Sequence, residues 1–211
     1  MAESQYAGRG QQNNRWHSDP GKNLTFSLLL KPSFLPVTQQ FDLTRVVSLS
    51  IIKALEPLLG NNLKIKWPND LYYNDKKLGG ILIENILQGS QIKNSVIGVG
   101  LNINQEVFPL DVPKAVSVKQ ILHRDYDLKF ILSEICKNVE ATYLSLKSNR
   151  FEDIRNAYMA RLYWLNEDKM FKAKGLVFNG KIIDVKENGF LIVTNGSEAS
   201  EYNQKEIEFL N

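Results

Sequence analysis

The chain has 211 residues, of which 43% are hydrophobic, with 26 basic residues against 23 acidic ones. This size suits one globular domain with room for a small second one. The near balance of charge gives little reason to expect a nucleic-acid or membrane partner. A single cysteine, Cys136, excludes an intrachain disulfide framework and a thiolate metal site. No apolar run approaches the length of a membrane span, so we expect a cytoplasmic protein.

The first half of the chain is predicted to form a β-sheet that packs against a long helix. Residues 24–30 form an apolar run bounded by turn residues, which predicts a buried strand. From 38 to 59, apolar residues recur at steps of three and four, which predicts an amphipathic helix lying on a sheet. Residues 95–104 predict a further strand in which Gly98 and Gly100 share one face, where a ligand can approach the backbone.

Residues 64–84, KIKWPNDLYYNDKKLGGILIE, hold the densest site chemistry of the chain. An alternating strand runs into Pro68, which lacks a backbone donor and ends regular pairing. Asn69 and Asp70 follow at once, so an amide and a carboxylate lie where the sheet opens into a loop. The second apolar run begins at Lys77-Leu78-Gly79-Gly80. We therefore expect a functional site at this rim of the sheet.

A second candidate motif lies near the N-terminus, at Gly8-Arg9-Gly10. Glycines let backbone amides approach a ligand closely, and the guanidinium between them offers a bidentate contact to an anion. The polar loop that follows ends at Trp16, which can cover an apolar ligand. A solvated turn is the alternative interpretation of the same residues.

The second half is predicted to change from helices to short strands. Residues 107–118 are broken by prolines and should be irregular, whereas 127–146, with Asp127 as N-cap, and 151–162 predict helices. Beyond Asn166 the helical period disappears. Short strands are predicted at 170–174, 181–185, 190–193, 198–202 and 207–210, with Asn-Gly turns at 179–180, 188–189 and 195–196. Such a meander most often closes into a small β-barrel.

Four of these motifs occur in the order and spacing seen in biotin protein ligases, and the chain resembles that family from about residue 2 to its C-terminus. The motifs are Gly8-Arg9-Gly10 with Trp16, 66–70 (KWPND), 77–84 (KLGGILIE) and 98–104 (GVGLNIN). The resemblance implies an α+β fold: a mixed β-sheet catalytic domain backed by helices over 1–165, then a small SH3-like β-barrel over 166–211. Lipoate ligases share the fold but not the pairing of the Trp-Pro-Asn-Asp and Lys-Leu-Gly-Gly motifs.

The resemblance also implies a two-step reaction. Biotin and ATP, with Mg²⁺ on the nucleotide, give biotinyl-5′-AMP, and a lysine of a biotin carrier domain then attacks this mixed anhydride. Joining two anions requires fixed cations, so Lys77 is assigned to the biotin carboxylate and the α-phosphate. Arg9 is assigned to the phosphate and to ordering the loop 8–16. Asp70 is assigned to the incoming lysine amine.

Further binding residues are carried over from the family motifs. Those implied for biotin are Gln5, Gly8, Arg9, Gly10, Gln11, Lys77, Gly79, Gly80, Leu82, Gly98 and Leu101. Those implied for ATP are Arg9, Trp16, Asn69, Lys77 and Asn102. No side chain is assigned to a metal, since His17 and His123 lie in polar loops without ligand spacing. The alternatives are a solvated turn for Lys77, a turn cap for Asp70 and a core position for Trp67.

Two departures from the family pattern qualify these expectations. The family usually has Arg where this chain has Gln11, and Gly and Arg where it has Asn13 and Asn14, so we expect a less firmly held adenylate. Family catalytic domains also begin earlier, with a strand and a helix whose Ser-Thr-Asn motif contacts the ureido ring of biotin; no such segment is expected here.

A repressor-type helix-turn-helix is also missing from the pattern, so DNA binding is not predicted. The sheet edge is expected to be unprotected, which allows a homodimer to form through it. Three functions stay open: a biotin ligase, a truncated ligase-like fragment that binds nucleotide or biotin weakly without catalysis, and a lipoate-type ligase.

Overall fold

The computed structural model describes residues 1–11 and 15–210, and its elements confirm the α+β class. The helices are α1 Phe41–Leu59, α2 Val118–Leu122, α3 Leu128–Lys147 and α4 Phe151–Ala160, with short 3-10 turns at Val37–Gln39 and Gly60–Asn62. The strands of the first sheet are β1 Leu24–Leu30, β2 Leu63–Lys66, β3 Asp70–Tyr73, β4 Lys76–Gln88 and β5 Gln91–Leu101. Those of the second are β6 Asp168–Ala173, β7 Leu176–Val185, β8 Leu191–Thr194, β9 Ala199–Tyr202 and β10 Ile207–Leu210.

The first sheet has the order β1-β5-β4-β3-β2, and its ladders are antiparallel. Parallel pairing is confined to isolated bridges, such as that between Ile65 and Leu162. Side chains alternate between the two faces of each strand. Ile97, Val99 and Leu101 of β5 are buried in the core, whereas the intervening residues face the other side of the sheet. We call that other side the open face.

Helix α1 covers the core face of this sheet. Its apolar stripe, including Leu43, Val46 and Ile51, is fully buried, as the three- and four-residue spacing predicts. The helix begins at Phe41 rather than at 38 because residues 37–39 form a separate 3-10 turn. The predicted cap of α3 is confirmed: the Asp127 carboxylate accepts hydrogen bonds from the amides of Lys129 and Phe130 at 2.8 and 3.2 Å.

The second sheet has the order β10-β6-β7-β8-β9 and follows the predicted meander, with one correction. Asn179-Gly180 lies inside β7, so the turn predicted there is wrong. The chain reverses instead at Lys174-Gly175, where φ is 51° and 80°. Two successive residues with positive φ form a turn suited to the twist of a hairpin. The turns at 188–189 and 195–196 lie between strands, as predicted.

A buried arginine of α1 connects that helix to the second sheet. The Arg45 guanidinium is 1% exposed and contacts the Asp42 carboxylate at 2.5 Å. It also donates to the carbonyl oxygens of Val185 and Lys186 at 2.9 and 2.6 Å. Trp67, predicted as a possible core residue, is buried and donates its indole N–H to the carbonyl of Gly189 at 2.8 Å. Buried polar contacts therefore connect the second sheet to α1 and to Trp67, which directly follows β2.

The two edges of the first sheet differ. On β2, the Ile65 amide donates to the carbonyl of Arg161, and the Tyr163 amide donates to the carbonyl of Ile65, both at 2.8 Å. On β1, Ala2 bridges Thr25 at the start of the strand. The prediction of association through an edge therefore applies to β1 and not to β2. Among the described helices, none is long and apolar enough to cross a membrane.

Candidate active site

A β-bulge at Leu78 shapes the hairpin formed by β3 and β4. Leu71 pairs with Gly79, but the next residue of β3, Tyr72, pairs with Lys77. Leu78 is thus the extra residue on β4, and its side chain is fully buried. Because strand side chains alternate, one extra residue moves everything before it to the opposite face. The bulge therefore places Lys77 on the face that carries Tyr72.

This face is the open face, and there Lys77 meets Asp70. The ammonium Nζ lies 2.6 Å from the carboxylate Oδ1, and the two side chains are 37% and 25% exposed. The backbone of Lys77 is held by its amide, which donates to Lys114, and by its carbonyl, which accepts from Val116. Lys77 and Asp70 are both strand residues, so the alternatives of a solvated turn lysine and a turn cap are wrong.

A cavity of about 420 Å³, which we call the first cavity, opens over this pair. Its floor is the open face of β1, β5 and β4, and its other walls come from the N-terminal segment and from Gln204. The sequence-predicted residues that line it are Gln5, Arg9, Gly10, Gln11, Trp16, Asn69, Asp70, Lys77, Gly80, Leu82 and Gly98. Gly8 lines only the wider outer mouth.

A second cavity, of about 320 Å³, lies on the other side of Trp16. It is lined mainly by apolar and aromatic groups, including Tyr72, Phe108 and Val112, and by Asn102. The Asn102 amide donates to the carbonyl of Val116 at 3.2 Å, so it also fixes the wall in which it lies. Three side chains line both cavities, namely Arg15, Trp16 and Lys77.

Trp16 can lie between the cavities because two glycines leave room for it. A Cβ on Gly100 would lie 2.5 Å from the indole ring, and a Cβ on Gly8 would lie 2.4 Å from the carbonyl oxygen of Trp16. The Gly8 carbonyl accepts a hydrogen bond from the Trp16 amide at 2.9 Å. Only a residue without a side chain permits these approaches. The glycines thus set the position of the wall between the cavities.

Replacing Gly100 with alanine should displace the Trp16 ring or lower stability, because the new methyl overlaps the indole. Overpacking of this kind costs about 1–3 kcal/mol. Near-UV circular dichroism and urea unfolding would detect either response. The matched control is Gly98→Ala on the same strand and face, where the new methyl would lie 3.7 Å from its nearest heavy atom. Equal effects of the two substitutions would contradict this account of Trp16.

Two of the predicted pocket residues lie elsewhere. Gly79 and Leu101 pair with each other on the core face of the sheet, and Leu101 is fully buried, so the prediction that they wall the pocket is wrong. Gly79 precedes Gly80, and Leu101 follows Gly100. Because neighbouring strand residues face opposite sides, the glycines lie on the open face and these two residues on the core face. Asn13 and Asn14 lie outside the described residues.

Several lining residues were not assigned from the sequence. They include Arg15, Thr25, Phe26, Ser27, Glu84, Gly100 and Gln204. The period of two offered a signal for Gly100, which shares the face of Gly98. Gln204 had no local signal, since it reaches the cavity only through the packing of the second sheet, where its amide donates to the side-chain oxygen of Gln11.

The predicted cation Arg9 lies at the mouth of the first cavity. Its guanidinium is 77% exposed and lies 3.7 Å from the Glu84 carboxylate of β4. The backbone of Arg9 also forms an isolated β-bridge with that of Arg15, which brings two guanidinium-bearing residues to the same opening. An exposed ion pair of this length is weak and readily exchanged for a ligand anion.

Lys66 adds a further cation on the open face, opposite Asp70 in the ladder. Its ammonium lies over the rings of Tyr72, Phe209 and Tyr163, at 4.7, 5.1 and 5.9 Å from their centroids. Burial lowers the pKa of Lys66, and the nearby Asp70 carboxylate partly opposes that shift. Burial also raises the pKa of Tyr72. Phe209 belongs to β10, so the last strand of the chain contacts the site through this lysine.

Within the residues described, no group of three or more His, Cys, Asp or Glu side chains is placed to hold a metal ion. The carboxylates of the first cavity are Asp70 and Glu84, and each is paired with a cation. These residues do not fit a Mg²⁺ site of their own.

Comparison with known proteins gives a consistent result. Residues 1–102 match the biotin/lipoate A/B protein ligase family. The chain is 27% identical to the bifunctional ligase/repressor BirA of Bacillus subtilis, over 99% of this chain and 65% of that protein. It is 29% identical to the biotin–[acetyl-CoA-carboxylase] ligase of Paracoccus denitrificans, over 92% of this chain and 82% of that protein.

The structural comparison extends this similarity beyond residue 102. The biotin protein ligase of Aquifex aeolicus in complex with biotin and ATP superposes with a TM-score of 0.82 at 27% identity. The match covers 98% of this chain and 86% of that one, so it includes both sheets. On sequence and fold together, the chain is similar to members of the biotin/lipoate A/B protein ligase family.

Proposed function

We propose that this chain attaches biotin to a lysine of a biotin carrier domain, in an ATP-dependent reaction through a biotinyl-5′-AMP intermediate. The observation that carries the proposal is the position of Lys77, which lines both cavities beside Trp16. A fixed cation between a pocket for an acyl group and a pocket for a nucleotide suits the joining of a carboxylate to an α-phosphate.

The two cavities suit the two substrates. The first combines amide groups, such as those of Gln5 and Gln11, with apolar floor residues such as Leu82, which fits a polar ring on an aliphatic chain. The second offers Trp16 and Tyr72 to a flat, apolar ring such as adenine. Each volume lies in the usual range for small-molecule sites.

In the first step, a carboxylate oxygen of biotin attacks the α-phosphorus of ATP and pyrophosphate leaves. The two reacting groups are both anions, and Lys77 neutralises their repulsion where they meet. Arg9 and Arg15, at the same opening, are placed to hold the phosphates. No protein nucleophile is required, so catalysis consists of positioning and electrostatic stabilisation.

In the second step, the neutral amine of the carrier lysine attacks the carbonyl carbon of the mixed anhydride and AMP leaves. Asp70 lies beside Lys77 at 25% exposure, so its carboxylate is reachable from the cavity. We assign Asp70 to orienting the incoming amine and accepting its proton. A homodimer through the β1 edge and a cytoplasmic location are further parts of the proposal.

The test is an exchange assay followed by a transfer assay. The chain is incubated with ATP, labelled pyrophosphate and either biotin or lipoate, and then with a carrier domain whose mass is measured. Biotin-dependent exchange and a carrier heavier by one biotinyl group are expected. Exchange with lipoate alone would replace the proposal by a lipoate-type ligase. Nucleotide binding without exchange would show a ligase-like protein that does not catalyse.

A further inference from the structure

The second cavity has walls from two separate parts of the chain. One wall is the N-terminal segment that contains Trp16, and the other is the irregular segment that contains Phe108 and Val112. Both segments lack regular secondary structure over these residues. Contacts at the base of the two segments therefore also contribute to the distance between the walls, and that distance decides whether a flat ring fits between them.

One buried side chain contacts the bases of both segments. Gln105 is 1% exposed. Its amide oxygen accepts hydrogen bonds from the backbone amide of Asp19, at 3.1 Å, and from the side-chain amide of Asn23. Its amide nitrogen donates to the carbonyl of Val107 at 2.8 Å. The acceptor end thus holds the segment that leads back to Trp16, and the donor end holds the segment that leads on to Phe108.

Asn23 completes this connection. Its side chain is almost fully buried; the oxygen accepts from the amide of Ile103 at 3.0 Å, and the nitrogen donates to Gln105 and to the hydroxyl of Ser18. At the rim, His17 and Asp111 approach to 3.6 Å, which brings the two walls together again near their tips. The buried connection lies at the base of the walls, and neither Gln105 nor Asn23 lines the second cavity.

We propose that Gln105 is a positioning residue which, with Asn23, sets the separation of the two walls and thereby the affinity for the nucleotide. The inference rests on the proposed function for the identity of the ligand, an adenine nucleotide. A buried carboxamide suits this role because one planar group offers a donor and an acceptor in opposite directions. Loss of the donor end leaves the Val107 carbonyl without its partner, and loss of the acceptor end leaves the Asp19 amide without one; either loss favours movement of the segment that was held.

Two substitutions that keep the shape of the side chain separate the two ends. Gln105→Glu keeps the oxygen that accepts from Asp19 but removes the donor to Val107. Asn23→Asp keeps the oxygen that accepts from Ile103 but removes the donor to Gln105. Gln120→Glu is the matched control, since it removes a donor to the carbonyl of Glu106 from an exposed side chain near the same segment.

Hydrogen exchange of the complete chain without ligand tests the connection itself. Gln105→Glu should speed exchange over 107–115, and Asn23→Asp should speed it over 15–21, whereas Gln120→Glu should leave the second wall unchanged. Unaltered exchange in both buried variants would overturn the inference. This measurement does not need an active enzyme, so it separates failure of the inference from failure of the proposed function.

Substrate dependence tests the consequence. Each buried variant should raise the KM for ATP about tenfold, the effect of one lost hydrogen bond, with kcat and the KM for biotin within about twofold of the unchanged chain. If Gln105 and Asn23 had a merely structural role, their substitution would lower the fraction of enzyme that is active and leave both KM values unaltered. Equal rises in the two KM values, or no rise for ATP, would overturn the inference. Titration of the unchanged chain with ATP that showed no binding would refute the proposed function instead.

Discussion

Replacing Lys77 with methionine should lower the rate of biotin-dependent pyrophosphate exchange by about 10²- to 10³-fold, the usual effect of removing one preorganised electrostatic group. Methionine keeps the length of the side chain and removes the charge that lies between the two cavities. The remaining Asp70 carboxylate is 25% exposed, so water can solvate it and the fold should survive. Exchange rates and urea unfolding of the same preparations check both parts.

Lys76→Met is the control for this substitution. Lys76 precedes Lys77 on β4, is exposed, and lines neither of the two cavities. Because neighbouring strand residues face opposite sides, Lys76→Met removes the same charge from the side of the hairpin opposite to Lys77. The rate of pyrophosphate exchange by Lys76→Met should stay within about twofold of that of the unchanged chain. A Lys77→Met chain that kept more than a tenth of the activity would refute the role assigned to this ammonium.

Replacing Arg45 with methionine should lower the free energy of unfolding by about 3–5 kcal/mol, because the buried Asp42 carboxylate loses its nearer cation and keeps only Arg155, whose Nη2 lies 3.6 Å from the other oxygen. Asp42 is fully buried, and Arg45 also satisfies the carbonyls of Val185 and Lys186. These groups would lose their partner at the junction of the two sheets. Urea unfolding at neutral pH measures the loss.

The control for Arg45→Met is a substitution in a solvent-exposed ion pair. Lys137 and Glu134 on α3 lie 2.6 Å apart with side chains 68% and 34% exposed. Exposed pairs of this kind contribute about 0.2–1 kcal/mol, so Lys137→Met should change stability by less than about 1 kcal/mol. Equal losses at the two sites would show that burial does not govern the energy of these pairs.

Much of the fold follows from short-range pattern. The bounds of β1 are confirmed at Leu24–Leu30 because its apolar run has sharp boundaries, although Leu29 is 62% exposed and the strand is buried only in its first half. Helix α3 begins where the Asp127 cap predicts. The turn predicted at Asn179-Gly180 was wrong because that dipeptide is compatible with a turn but does not require one. Gly180 lies where a Cβ would meet Val193 at 2.8 Å, so packing between strands explains its presence there.

The site was harder to predict than the fold because its parts come from distant segments. The motifs that include Asp70 and Lys77 identified the region, and both residues line the first cavity. Arg45 and Gln204 had no comparable signal, since each acts across the boundary between the sheets. Gly79 and Leu101 were misplaced because a motif contains residues of both faces, and only the register of the sheet separates them.

The bulge at Leu78 has a consequence for anyone who alters this hairpin. Pairing Leu78 with Tyr72, without removing any residue, would give a regular ladder and thus a sheet that is, by backbone criteria, better formed. It would also reverse the phase of every earlier residue of β4, so the ammonium of Lys77 would turn into the apolar interior. Sequence redesign that optimises strand regularity would therefore erase the chemistry while leaving the architecture intact.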